Sequence, residues 1–154
     1  MPSPAFTLRA GAPADLPAVR ALLADGGLPD AGLDALFADR AGDFVLAEAG
    51  GALVGVAGLE VCRDDALLRS VAVRPEWRAH GVGGELVKAL VGVAEARGLR
   101  ALYLLTTTAE RYFPRFGFAV VERGAVPPAI ADTLEFRGAC PASAVAMARP
   151  VAAA

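Results

Sequence analysis

Histidine, cysteine and tryptophan are scarce in this chain of 154 residues, with one His, two Cys and one Trp. His80, Cys62 and Cys140 are too few and too scattered to make a metal-ligand set, so no metal site is expected. The two cysteines form no CxxC pair and imply no disulfide framework, which fits a reducing, cytoplasmic setting. One His, placed inside a Gly-rich stretch, excludes Ser-His-Asp and Cys-His hydrolases. A charge excess is also lacking: 15 Lys+Arg against 17 Asp+Glu leave a net −2. That balance argues against nucleic-acid and anionic-membrane partners. No apolar run approaches the roughly 18–20 residues that span a bilayer. Met1-Pro2-Ser3-Pro4 has neither the basic nor the apolar region of a signal peptide. Only 21% of residues are charged while 55% are hydrophobic, which excludes disorder. The expectation is one domain over 1–154, with the Ala-rich bias of a GC-rich bacterial proteome.

What is present alternates in type. Phe6–Arg9 reads as a short strand. Pro13 and Asp15 open a helix with Leu16, Val19, Leu22 and Leu23 on one face, stopped by Gly26-Gly27. Leu33, Leu36 and Phe37 mark a second short helix. Strands follow at Phe44–Ala47, Leu53–Val61 and Ala66–Val73, with turns at Ala49-Gly50-Gly51 and Arg63-Asp64-Asp65. A helix is predicted from about Glu85 to Arg97, with Gly98 as its cap. Ala101–Leu105 is a strand, Ala109–Phe116 helical as far as Pro114 allows, and Phe118–Val121 a strand. A short helix runs from Pro127-Pro128 through Phe136, and Ser143–Ala148 is the last strand. An antiparallel meander followed by alternating helices and strands gives an α+β (α/β mixed sheet) class, a central mixed sheet flanked by helices.

One segment carries chemistry: Val71-Ala72-Val73 at a strand end, then Arg78-Ala79-His80-Gly81-Val82-Gly83-Gly84, then a helix. Glycines let backbone N–H groups converge, and a helix N-terminus adds positive potential, so this stretch suits a pyrophosphate. Arg78 can add a charge-assisted contact. The stretch is not a P-loop, because Gly84-Glu85-Leu86 stands where Gly-Lys-Ser/Thr belongs, and its glycine spacing does not fit a dinucleotide fingerprint.

Arg78-x-x-Gly81-x-Gly83 resembles motif A of the GNAT family of N-acetyltransferases, and Ala109 to Phe118, ending in Gly117-Phe118, resembles its motif B. The resemblance covers about Phe6 to Val145 and implies the GNAT acyl-CoA N-acyltransferase fold. Leu102–Glu110 with Glu135-Phe136 and Cys140–Ala144 is similar to the arsenic-resistance branch of that family. The resemblance implies acetyl-CoA as co-substrate, bound by residues 78–84 and by the backbone of Val71, Ala72 and Val73. The acceptor it implies is the amine of a small molecule, amino-acid-like or arsenic-containing, attacking the thioester directly.

Its requirements select further candidates. A backbone N–H near Val73 would polarise the acetyl carbonyl. Glu60, near a strand end among apolar neighbours, is the first choice of base; the competing reading is a solvent-facing strand-end carboxylate. The family often places a Tyr four residues before the Gly of Gly-Phe, where this chain has Phe113. Tyr112 is one residue away, a rotation of about 100° on a helix, and is the candidate proton donor to the thiolate. Thr106 either contacts the pantetheine arm or satisfies its own backbone. Arg69 either binds a substrate anion or lies on the open sheet face. Leu28 and Leu33, around the first helix–loop–helix, would border the acceptor pocket. An acyl-CoA-binding sensor without turnover, and transfer to a protein N-terminus or lysine, are the alternatives. A homodimer is expected through pairing of the final strand.

Overall fold

The computed structural model describes residues 5–139 and 143–151, so Cys140 lies outside the described residues. Seven strands, β1 (Thr7–Ala10), β2 (Phe44–Ala49), β3 (Ala52–Cys62), β4 (Asp65–Val73), β5 (Ala101–Thr106), β6 (Ala119–Val121) and β7 (Val145–Pro150), form one mixed sheet in the order β1-β2-β3-β4-β5-β7-β6. The chain divides into two compact units, Met1–Gly58 with Ser70–Leu90, and Leu59–Arg69 with Val91–Ala154. Strands β3 (Ala52–Cys62) and β4 (Asp65–Val73) and helix α3 (Val82–Ala96) run through both. Among the described residues, no helix is long and apolar enough to cross a membrane.

In the first unit, β1 (Thr7–Ala10) pairs antiparallel with β2 (Phe44–Ala49), and β2 with β3. The chain turns into α1 (Leu16–Asp25) where the Asp15 carboxylate accepts a hydrogen bond from the Ala12 N–H at 2.8 Å. Arg9 donates to Asp15 at 2.7 Å and also to Glu48, tying β1 to this turn and to β2. Val19, Leu22 and Leu23 of α1 recur at helical spacing and are buried. They join Leu33 and Phe37 of α2 (Leu33–Asp39), and Phe44, Leu46, Val56 and Ala72 of the strands, in one apolar cluster.

The second unit holds the parallel step of the sheet. Ala66 and Leu67 of β4 register with Leu102 and Tyr103 of β5 (Ala101–Thr106). Strand β7 (Val145–Pro150) lies antiparallel to β5 on one side and to β6 (Ala119–Val121) on the other. Helix α3 stops at Gly98, where the Leu99 N–H donates to Ala94 O at 3.1 Å and the Gly98 N–H to Glu95 O at 3.1 Å. Leu67, Val126, Ile130, Phe136 and Ala146 form the local core.

Several boundaries differ from the sequence reading. Helix α3 starts at Val82 and not near Glu85, so Gly83 and Gly84 lie in its first turn. Position in that turn, where N–H groups need no intrahelical partner, offsets the poor propensity of glycine. Ala109–Phe116 is not an α-helix: turns lead to a 3₁₀ segment, Phe113–Phe116, because Pro114 has no N–H to continue a ladder. The predicted helix from Pro127 splits into α4 (Pro128–Ala131) and a π-helical turn, Glu135–Ala139. The last strand begins at Val145. It lies between β5 and β6 in the sheet.

Gly55 sets where α3 sits within the first unit. A Cβ there would lie 2.8 Å from Val82 Cγ1 and 3.0 Å from Leu86 Cδ1. The first two turns of the helix therefore rest on bare backbone. Gly55→Ala gains about 0.4–1 kcal/mol from a stiffer unfolded chain, but overpacking costs about 1–3 kcal/mol. Thermal unfolding is expected at a lower Tm, by about 2–4 °C per kcal/mol; an unchanged or raised Tm would show that the helix lifts without cost.

Candidate functional site

The candidate residues fall into two sets, one in each unit. The first begins on β4 at Ser70, which is buried and holds a left-handed backbone (φ 58°) inside a strand. That conformation costs a non-glycine residue about 1–2 kcal/mol and breaks the pleat just before Val71. Val71, Ala72 and Val73 follow, Ala72 buried and its neighbours half-buried. The Arg74 N–H donates to Val54 O at 2.9 Å and its Nε to Leu53 O at 2.6 Å, fixing the strand end against β3. A 3₁₀ turn, Pro75–Trp77, then reverses the chain.

Arg78 is extended and exposed, and its Nε donates to Val73 O at 3.4 Å. Ala79 (φ 69°) and Gly81 (φ 79°) are left-handed and bracket His80, whose φ is negative. Alternating backbone hand turns successive N–H groups toward one side, which makes a concave anion nest. Trp77 stacks edge-on between Phe6 and His80, with ring centroids 6.3 and 5.7 Å away. His80 thus braces the loop. The first intrahelical bond of α3 runs from the Glu85 N–H to Gly81 O at 3.0 Å. The N–H groups of Val82, Gly83 and Gly84 precede it and stand at the positive end of a helix of 15 residues. This donor set fits the diphosphate of a coenzyme, with Arg78 as the adjacent cation.

The second set is a charged cluster. The sequence reading puts Glu60 among apolar neighbours, but its carboxylate accepts a hydrogen bond from Arg69 Nη1 at 2.8 Å. Arg69 is neither on an open face nor directed at solvent: it is 3% exposed, and Nη2 lies 3.8 Å from Glu135 Oε1. A buried guanidinium requires compensating charge, and these two carboxylates provide it. Glu135, 5% exposed, was missed as a site residue. Burial pushes its carboxyl above the ordinary 4.5, the charge of Arg69 opposes this, and the charge of Glu60 adds to it. Its placement has local causes. Thr133 Oγ1 accepts the Phe136 N–H at 3.3 Å, and Phe136 packs in the core beneath the Arg123 guanidinium, 5.3 Å from its ring centroid. The one legible signal was Thr133-x-Glu135-Phe136, a hydroxyl cap followed by a buried aromatic.

The remaining candidates of this unit have local contacts. Thr106 Oγ1 accepts the Ala109 N–H at 2.9 Å, so its hydroxyl closes its own turn. Tyr112 is half-buried, edge-on to Phe113 and Phe116, with Arg115 4.6 Å above its ring. Burial raises its phenol, the nearby Arg115 opposing, so it holds its proton at neutral pH. Cys62 donates to Glu60 O at 3.4 Å, and burial pushes its thiol up to about 11, which leaves it unreactive. In the first unit, Leu28 is exposed, but Leu33 is fully buried in the core and borders no open pocket.

Glu135 binds its proton more tightly folded than unfolded. Its stabilising contribution is complete below pH 4.5 and is lost as the pH rises through the raised value. Denaturant unfolding of Glu135→Gln across that window is expected to give a flatter dependence of stability on pH than the wild type; parallel curves would contradict the assignment.

Residues 16–118 match the family described as the acetyltransferase (GNAT) family. The chain is 46% identical over 57 residues to mycothiol acetyltransferase of Thermobifida fusca, covering 37% of this chain and 18% of that protein. It is 31% identical over 86 residues to amino-acid acetyltransferase of Shewanella oneidensis, covering 54% and 19%. It thus spans about a fifth of the length of these curated relatives. Among solved structures, N-acetylglutamate synthase of Neisseria gonorrhoeae, complexed with coenzyme A and N-acetyl-glutamate, superposes with a TM-score of 0.81 at 21% identity, over 96% of this chain and 35% of that one. The Mycobacterium tuberculosis protein Rv2747, in complex with CoA and NLQ, gives 0.77 at 24% identity, over 95% and 99%. These likenesses give the fold, and the match over residues 16–118 gives the family: the chain belongs to the acetyltransferase (GNAT) family.

Proposed function

We propose that this chain transfers an acetyl group from acetyl-CoA to the primary amine of a small, amino-acid-like molecule. The observation that carries this reading is the left-handed pair Ala79 and Gly81 leading directly into the amide-rich first turn of α3. The names of the relatives, amino-acid and mycothiol acetyltransferases, support the substrate class. Arsenic-containing amino-acid analogues fall in the same chemical class and belong in the same substrate panel.

Acetyl-CoA, when bound, supplies an activated thioester. In this reading the amides of residues 81–84 and the guanidinium of Arg78 hold its diphosphate, and the backbone of Val71–Val73 orients the acyl arm. The Val73 N–H donates to the acetyl oxygen. Glu60 takes the proton of the incoming amine, and Tyr112, kept protonated by burial, returns one to the departing sulfur.

Gly81→Val tests the loop, because a β-branched residue at φ 79° is a genuine outlier. Titration calorimetry with acetyl-CoA is expected to show at least a ~10-fold weaker affinity, or about 1.4 kcal/mol, in a variant whose circular dichroism matches the wild type. Mass spectrometry of an amine panel incubated with acetyl-CoA should then show a single acetyl addition. Equal affinity in the variant would overturn the loop assignment; tight binding with no acetylated amine would leave an acyl-CoA-binding sensor.

A further inference from the structure

We propose that Glu60, Arg69 and Glu135 act as one proton-accepting unit for the acceptor amine, in which Glu60 receives the proton and Arg69 and Glu135 are positioning residues. This rests on the acetyl-transfer reading above and extends it to a group that reading does not use.

The geometry sets the roles. Arg69 has a side chain 1% exposed, with Nη1 2.8 Å from Glu60 and Nη2 3.8 Å from Glu135. One guanidinium therefore serves two carboxylates. The Glu60 side chain is 21% exposed and that of Glu135 only 6%, so Glu60 is the member that can meet a substrate. Facing Glu135 are Arg69 from β4 and Glu60 from β3. The Cys62 thiol lies beside Glu60, and Arg123 stacks on Phe136 while donating to Ala144 O at 3.1 Å.

When both carboxylates are ionised, the unit carries one net negative charge in a largely buried place. Glu135 shares the guanidinium that Glu60 uses, and burial, with the Glu60 charge beside it, raises the Glu135 carboxyl. Arg69, anchored on the buried Glu135, holds the more exposed Glu60 carboxylate in one orientation, where an ammonium group can reach it. The step balances: the ammonium N–H bond breaks and its proton joins Glu60. The freed electron pair on nitrogen forms the bond to the acyl carbon. The C–S bond breaks, and sulfur leaves with the bonding pair and takes the proton of Tyr112, which regains one from the second N–H of the amine. The products are an amide, a thiol and one proton released from the unit to water.

The test uses the whole chain and two readouts. Carbon-13 NMR of glutamate carboxyl groups, without substrates, should show one carboxyl titrating above the ordinary glutamate range. That titration should vanish in Glu135→Gln and move to lower pH in Glu60→Gln. Its indifference to Glu60→Gln would mean that the two carboxylates are uncoupled, which overturns the proposal. In the second readout, acetylation of the amine selected by the panel is followed against pH. Glu60→Gln should lower kcat by about 10²–10⁴-fold. Glu135→Gln should shift the acid limb of kcat to lower pH, with a lower plateau and an unchanged KM for acetyl-CoA. A Glu135→Gln profile merely scaled down at every pH would reveal a structural role and overturn the proposal. Coupled titration without any amide product would instead overturn the acetyl-transfer reading, so the two failures are separable.

Discussion

The bare backbone at Gly55 fixes the start of α3, and most of the functional reading depends on that contact. Val82 and Leu86 descend onto β3 because no side chain intervenes. The helix can begin so close to the sheet only because Ala79 and Gly81 turn the preceding chain through left-handed conformations. The first-turn amides then gather at a helix N-terminus, where the backbone field favours an anion. A side chain at position 55 would lift the helix, and with it the amides of Val82, Gly83 and Gly84.

The charged cluster follows a different logic. Burying Arg69 is costly, and two carboxylates for one guanidinium is more compensation than neutrality requires. A cluster built for stability alone would be better served by apolar residues of similar volume. The surplus negative charge, one carboxylate held partly exposed and the other deep, suits the proton transfer proposed for it. Cys62, beside it, is kept protonated by burial and by the charges of Glu60 and Asp65.

Much of this was legible from residues alone. The succession of strands and helices along the chain followed from periodicity, and the Gly-rich loop from Arg78-x-x-Gly81-x-Gly83, whereas the place of β7 between β5 and β6 did not. The left-handed backbone at Ala79 was hidden, because alanine does not advertise it as glycine does. The start of α3 was placed three residues late because Gly83 and Gly84 are poor helix formers, yet the first turn tolerates them. Glu60 was picked from its strand position, but its partner was not: Arg69 sits nine residues on, in the neighbouring strand, and spacing alone does not reveal cross-strand pairing. Glu135 lay further out of reach, since its burial comes from a π-helical turn and from Phe136 packing on Ile130 and Leu67. Leu33 was taken for a pocket residue because a Leu at a helix start looks the same in sequence whether it faces a pocket or the core.

The most direct measurement is residue-resolved amide hydrogen exchange, by NMR, with and without acetyl-CoA. Slowed exchange at Val82, Gly83 and Gly84, with smaller changes elsewhere in α3, is the expected result. Protection confined to another part of the molecule, with those three amides unchanged, would contradict the assignment of the α3 N-terminus as the diphosphate site.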